Sequence, residues 1–311
     1  MHWKIKAAIQ NAIAVLPASV SYPAQFWLQR RFGGLRAMNP VDRLSAGIET
    51  WKRIQALGQD PSGKVFFEVG TGRVPVVPLA YWLLGADRTV TIDLNPYLRA
   101  DLVEESIGYI RDHAGEIRDL FGPLLREERM AALLELADGG FSLERFLSLC
   151  RIEYIAPGDA AHTGLPEGSI HFHTSYTVLE HIPEPVLESI MVEGERLLAD
   201  NGLFIHRIDY SDHFWHSDER ISAINFLQFS DRRWRRFAGN RYMYVNRLRH
   251  DDYLRLFEST GQRIVMDEPK VDPKSQQLLR EGGIRLDARF SAKPLDILAI
   301  KGAWIASRKA A

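Results

Sequence analysis

The sequence predicts an α/β fold, a doubly wound and mostly parallel sheet of seven strands, and three observations carry that reading. An apolar run from Lys64 to Val69 breaks into Gly70-Thr71-Gly72. A second apolar run, Thr89 to Asp93, ends on an acid about twenty residues after the glycine turn, the spacing of a βαβ unit. Strand-like and helix-like segments then alternate as far as Ile208, which favours parallel strands joined by right-handed crossovers.

The N-terminal residues are predicted to be a helical segment (1–60) ahead of the sheet domain (61–311). No acidic residue precedes Asp42, whereas Lys4, Lys6, Arg30, Arg31 and Arg36 are basic and Trp3, Ile5, Ile9, Ile13 and Leu16 are interspersed. Gln10 and Asn11 interrupt the apolar centre that a secretory leader needs. The pattern suits a helix packed on the domain, and also peripheral contact with an anionic membrane surface. Asn39-Pro40-Val41-Asp42 opens a helix in which Leu44, Ile48, Trp51 and Ile54 recur at helical spacing.

Strand one is Val65–Val69, and helix Pro75–Leu84 follows, its two prolines tolerable only in the first turn. Thr89–Asp93 is strand two. An insertion at about 99–150 reads as four helices, over 102–114, 117–125, 130–136 and 143–149, and is expected to cover the substrate site. Short strand three (151–155), strand four (169–174) and a helix (185–198) lead to an Asp200-Asn201-Gly202 turn and strand five (203–208). A second insertion at about 210–249 is aromatic, basic and irregular. Helix 250–261 and strands 263–267 and 296–304 close the sheet.

Composition bounds the function. Of 311 residues, 46% are hydrophobic and 25% charged, which suits a globular core. A net charge of −1 excludes a molecule that binds nucleic acid through overall charge. The single cysteine, Cys150, excludes a disulfide framework within the chain and fits a reducing cytoplasm.

Gly70 and Gly72 let the backbone approach a ligand, and Asp93 is placed to accept hydrogen bonds from a ribose. The third glycine of a dinucleotide turn is replaced by Pro75, which counts against a nicotinamide dehydrogenase. Asp159, after strand three, faces an adenine amine or serves only its own turn.

With these residues in place, the sequence resembles the class I S-adenosylmethionine-dependent methyltransferases, whose fold is Rossmann-like. Glu68-Val69-Gly70-Thr71-Gly72 matches the family's E/D-x-G-x-G strand end, and Asp93 matches its strand-two acid. Val178-Leu179-Glu180-His181-Ile182-Pro183-Glu184-Pro185 matches the VLEH segment after strand four, and Leu198 to Phe204 matches its last turn more loosely. Ile170-His171 and Asn201 depart from the pattern. The resemblance implies S-adenosyl-L-methionine as cofactor. Glu68, Gly70, Thr71 and Gly72 would surround its methionine part, Asp93 the ribose, with Leu94 and Asn95 beside it. Asp159 and Ala160 would flank the adenine, and Thr174 and Ser175 would close the pocket.

Methyl transfer from a sulfonium is a direct displacement that depends mostly on positioning. A hydroxyl acceptor also benefits from a base, and His181, His213 and Asp209 stand past strands four and five where one is needed. His206, Asp209, Asp212, His213, His216 and Asp218 could ligate a metal, but no metal is expected and the segment reads as a solvated polar loop. Arg232, Arg233, Arg235 and Arg236 suit an anionic acceptor. The expected enzyme methylates a hydroxyl of a sugar, glycolipid or small molecule, from the cytoplasm or a membrane periphery. An RNA methyltransferase and a non-catalytic nucleotide-binding scaffold are the competing readings. Nucleic acid fits less well, because Thr174-Ser175-Tyr176-Thr177 stands where base-methylating relatives carry an N/D-P-P-Y/F run.

Overall fold

A computed structural model describes residues 1–310. Two helices, α1 (Trp3–Ala14) and α2 (Ala18–Phe32), precede α3 (Val41–Ala56). The first βαβ unit is β1 (Val65–Val69), α4 (Val76–Leu84) and β2 (Arg88–Ile92). Four helices follow: α5 (Ala100–Asp112), α6 (Ala114–Phe121), α7 (Glu127–Asp138) and α8 (Leu143–Leu149). Then come β3 (Ile152–Ile155), β4 (Ile170–Tyr176), α9 (Glu184–Leu197) and β5 (Leu198–Asp209). The chain ends with α10 (Asp231–Ala238), α11 (His250–Ser259), β6 (Gln262–Val271), α12 (Pro273–Arg280), α13 (Ala288–Ser291), α14 (Leu295–Ala299) and β7 (Ile300–Lys309).

The seven strands form one sheet in the order β3-β2-β1-β4-β5-β7-β6. The first five are mutually parallel, and β7 runs antiparallel to both β5 and β6. Alternation along β1 sends Phe66 to one apolar layer and Phe67 to the other, so both faces of the central strand are covered. One layer holds α3, α4 and the helices of the first insertion. The other holds α9 and α11. A third apolar cluster lies apart. In it Trp3 of α1 packs its ring 4.9 Å from Phe237 and 5.4 Å from Phe214, which ties the N-terminus to the second insertion.

Three expectations need correction. The first insertion does not cover a site. Ile107, Ile110, Met130, Leu133 and Phe146 point into the layer against α4, because their helical periodicity gives each helix one apolar stripe to bury. The expected turn at Asp200-Asn201-Gly202 is part of β5. Ile170 pairs with Leu198 and Phe172 with Leu203, so the extra residues are absorbed as a bulge. The last strand begins at Ile300, four residues later than its expected start, because Leu295–Ala299 forms a helix. No helix among the described residues is long and apolar enough to cross a membrane.

Candidate active site

A cavity of about 850 Å³ opens at the carboxyl ends of β1, β2 and β4, where the strand order reverses. The glycine turn forms its floor. Gly70 (φ +89°) and Gly72 (φ +66°) adopt backbone conformations that side chains strain. A Cβ on Gly70 would lie 2.5 Å from a methyl of Val178, so the turn packs directly on the segment after β4. At Gly72 nothing would meet a Cβ within 4 Å. That backbone is bare to the cavity.

Asp93 ties the turn to β2. One carboxylate oxygen accepts the Gly72 N–H at 2.9 Å and the other accepts the Asn95 N–H at 3.0 Å. Burial raises its pKa, and these two bonds oppose the rise. Each oxygen keeps a lone pair for a ligand. Glu68 is only 4% exposed, and its Oε2 is buried with no hydrogen-bond partner. Burial pushes it up to about 8, against the pull of the Arg43 charge. An unpartnered carboxyl on a cavity wall has its partner still to come.

The other expected cofactor residues divide. Leu94, Asn95, Asp159 and Ala160 line the cavity. The Asn95 side-chain oxygen accepts from the Tyr22 hydroxyl at 3.1 Å. Asp159 accepts the Ala161 N–H at 2.9 Å and lies 2.9 Å from Nδ1 of His162, a bond that lowers its pKa. Thr71 also borders the cavity, but its hydroxyl is bonded to that of Thr91 at 2.6 Å inside the sheet. Thr174 and Ser175 do not line the cavity. Thr174 donates to the Phe67 carbonyl, and Ser175 is paired with His206 at 2.7 Å in the core. Both lie within β4, which runs on to Tyr176, so Tyr176, Thr177 and Val178 at its end form the wall instead.

His181 also borders the cavity. Its Nδ1 lies 2.8 Å from the Tyr244 carbonyl, so that nitrogen carries the hydrogen and Nε2 keeps its lone pair. Desolvation first, and the neighbouring His213 second, lower its pKa. The His181 and His213 ring centroids are 4.8 Å apart. Behind them, Asp209 Oδ2 lies 3.6 Å from Nε2 of His213 and 3.4 Å from Nε2 of His216. Burial would raise the Asp209 pKa, but the bonds from these imidazoles hold it well below the carboxylate range. The three expected catalytic residues therefore adjoin, with His181 alone at the cavity surface. Glu180, 1% exposed, completes this group. Its pKa is raised well above normal, by burial first and by Asp209 second.

The expected solvated loop after β5 is mostly buried. Asp212 accepts from Phe214 N–H and from Asn225, Asp218 caps the Trp3 N–H at 2.8 Å, and His206 lies inside the sheet. The arginine run is also elsewhere. Arg232, Arg233, Arg235 and Arg236 project from α10 outside the cavity, held so because Trp234 takes the apolar side of that helix. Arg247 and Arg249 are buried and donate to backbone carbonyls, Arg249 to those of Tyr210, Leu298 and Ile300. The cations that do border the cavity are Arg43, Arg73 and Arg241. These, with Tyr97 and Tyr242, were not legible in the sequence. Tyr22 stands edge-on to both tyrosines at 5.6 and 6.0 Å, a closure made by three distant segments with no local motif.

No family model matches the sequence, and no curated protein does. Solved structures do resemble it in fold. Geranyl diphosphate C-methyltransferase from Streptomyces coelicolor A3(2) is 13% identical, with a TM-score of 0.45 over 86% of this chain and 79% of that one. An S-adenosylmethionine-dependent methyltransferase from Mesorhizobium loti is 14% identical, with a TM-score of 0.44 over 86% and 100%. One from Methanosarcina mazei is 14% identical, with a TM-score of 0.44 over 82% and 96%. The seven-stranded sheet with its antiparallel β7 has the topology of the Rossmann-like methyltransferase fold.

Proposed function

We propose that this protein is an S-adenosylmethionine-dependent methyltransferase acting on a hydroxyl of a sugar, glycolipid or other small acceptor. One observation carries the reading: the Glu68–Gly72 turn, clasped by Asp93, presents an orphaned buried carboxyl and bare backbone to a cavity that His181 also lines. The residues fit the cofactor. Asp93 has lone pairs for the two ribose hydroxyls, and Glu68 is placed for the ammonium of the methionine part. Leu94, Asn95, Asp159 and Ala160 flank the adenosine. S-adenosylmethionine supplies an electrophilic methyl group on its sulfonium.

The chain's own part is mostly placement. Val178, fixed against Gly70, separates the cofactor turn from the histidine wall. His181, oriented by the Tyr244 carbonyl, meets the acceptor oxygen. Arg43, Arg73 and Arg241 favour an acceptor with anionic groups. Calorimetry with S-adenosylmethionine, followed by acceptor screening with a labelled methyl group, tests the reading. Absence of cofactor binding at millimolar concentration would sink it.

An anionic lipid bilayer is the partner proposed for the N-terminal helices. Eight of the thirteen exposed large apolar side chains among the described residues lie before residue 33, Trp27 and Phe32 among them. No acid precedes Asp42, and Lys4, Arg31 and Arg36 are basic. Apolar insertion combined with positive charge is what an anionic surface selects. Gln29 of α2 borders the cavity, so this face would bring a lipid-linked acceptor to its mouth.

A further inference from the structure

The histidine wall has more polar groups than a proton acceptor needs. Glu180, His181 and His213 each offer a ligand atom, and these atoms lie within 4.8 Å of one another. Asp209, His213 and His216 form a second such group, sharing His213. The independent sign of a missing partner is Glu180. It is 1% exposed, and neither carboxylate oxygen has a hydrogen-bond partner. A buried carboxyl with both oxygens unpaired is costly unless a proton or a cation meets it.

We propose that Glu180, His181 and His213 bind one divalent first-row transition ion at the acceptor end of the cavity, with Asp209 steering the imidazoles. Two imidazoles and a carboxylate favour zinc, manganese, iron or cobalt over magnesium, which prefers an all-oxygen set. The geometry is prepared for this. His181 is fixed through Nδ1 to the Tyr244 carbonyl, the usual way a protein presents Nε2 to a metal. Asp209 stands 3.6 Å from Nε2 of His213 and buttresses that ring. Glu180 and His181 are adjacent in sequence and His213 follows β5, so two strand ends converge on one point. Because His181 borders the cavity, a bound ion would keep an open position there for an acceptor oxygen. This deepens the methyltransferase reading, with His181 then meeting the acceptor oxygen through the ion and not as a free base, yet metal binding is measurable without it.

The test uses untagged full-length protein stripped with a chelator. Titration with Zn²⁺ and Co²⁺ is followed by calorimetry and by the visible absorption of Co²⁺. One ion per chain is expected. Glu180→Gln and His213→Ala should each weaken it about 10- to 100-fold, while His113→Ala, remote from the cluster, leaves it unchanged. Absence of stoichiometric binding to the parent overturns the proposal, as does undiminished binding by His213→Ala. Should His213→Ala fail to fold, Glu180→Gln decides alone: a Co²⁺ spectrum identical to the parent's also overturns it. S-adenosylmethionine is titrated in parallel. Cofactor binding without metal binding sinks only this inference, and metal binding without cofactor binding sinks only the methyltransferase reading.

Discussion

The two ends of the cavity are built differently. The proposed cofactor end is made of backbone: two glycines at positive φ, and a carboxylate that spends a bond on each of two neighbouring N–H groups. The proposed acceptor end is made of side chains: Glu180 and His181 after β4, and Asp209, His213 and His216 at and beyond the end of β5. Backbone recognition suits a ligand whose shape is constant. A side-chain cluster on a loop can be exchanged without disturbing the sheet, so it sets what is acted upon.

Substitutions test this division. The largest effect is expected at the acceptor end. His181→Ala should lower methyl transfer about 100-fold or more while leaving cofactor affinity within about twofold. A parallel loss of affinity would show that the two ends are one site. Asp93→Ala should do the reverse, weakening cofactor binding about 10- to 100-fold, the loss of charge-assisted hydrogen bonds. Calorimetry on both variants reads the comparison directly.

Gly70→Ala probes the seam between the ends. Its Cβ would meet Val178 and sit at φ +89°, so a destabilisation of about 1–3 kcal/mol is expected in denaturant melts. Val178→Ala in the same chain should recover part of it; an additive pair would mean that the contact is not what constrains the turn. A subtler effect is a proton count. Glu68 holds its proton in the free protein up to about pH 8, whereas the unfolded chain loses it near 4.5. The folded state therefore binds more protons through that window, and this contribution to stability declines as pH rises toward 8. A cationic ligand beside Glu68 should expel that proton. Binding heats at pH 7 should then depend on the buffer's ionisation heat, and lose that dependence in Glu68→Gln. The smallest expected change is several-fold weaker partition of Trp27→Ala/Phe32→Ala onto phosphatidylglycerol vesicles, with no change in cofactor affinity. Equal binding to neutral vesicles by the parent chain would remove the electrostatic part of that proposal.

Much of the proposed cofactor end is legible in the sequence. A turn that needs glycine, and an acid at a strand end, are local requirements, and Gly70, Gly72 and Asp93 state them within thirty residues. Thr174 and Ser175 miss the cavity because β4 runs two residues past Thr174, to Tyr176, which keeps both inside the sheet and gives the wall to the residues at its true end. The first insertion was legible as helices but not in its role, since an amphipathic stripe says that a face is buried and not against what.

What the sequence by itself determined is the order of elements, the glycine turn and its acid, and the histidines placed after β4 and β5. Each follows from short-range physics: periodicity, backbone freedom and strand length. Only the tertiary structure decided that α2, Arg43 and Tyr242 wall the cavity, that the arginines of α10 face away, and that Glu180 lies unpartnered beside His181 and His213. Those depend on contacts between segments far apart in the chain. No local pattern encodes such contacts, because their energy exists only once the sheet has brought the strand ends together.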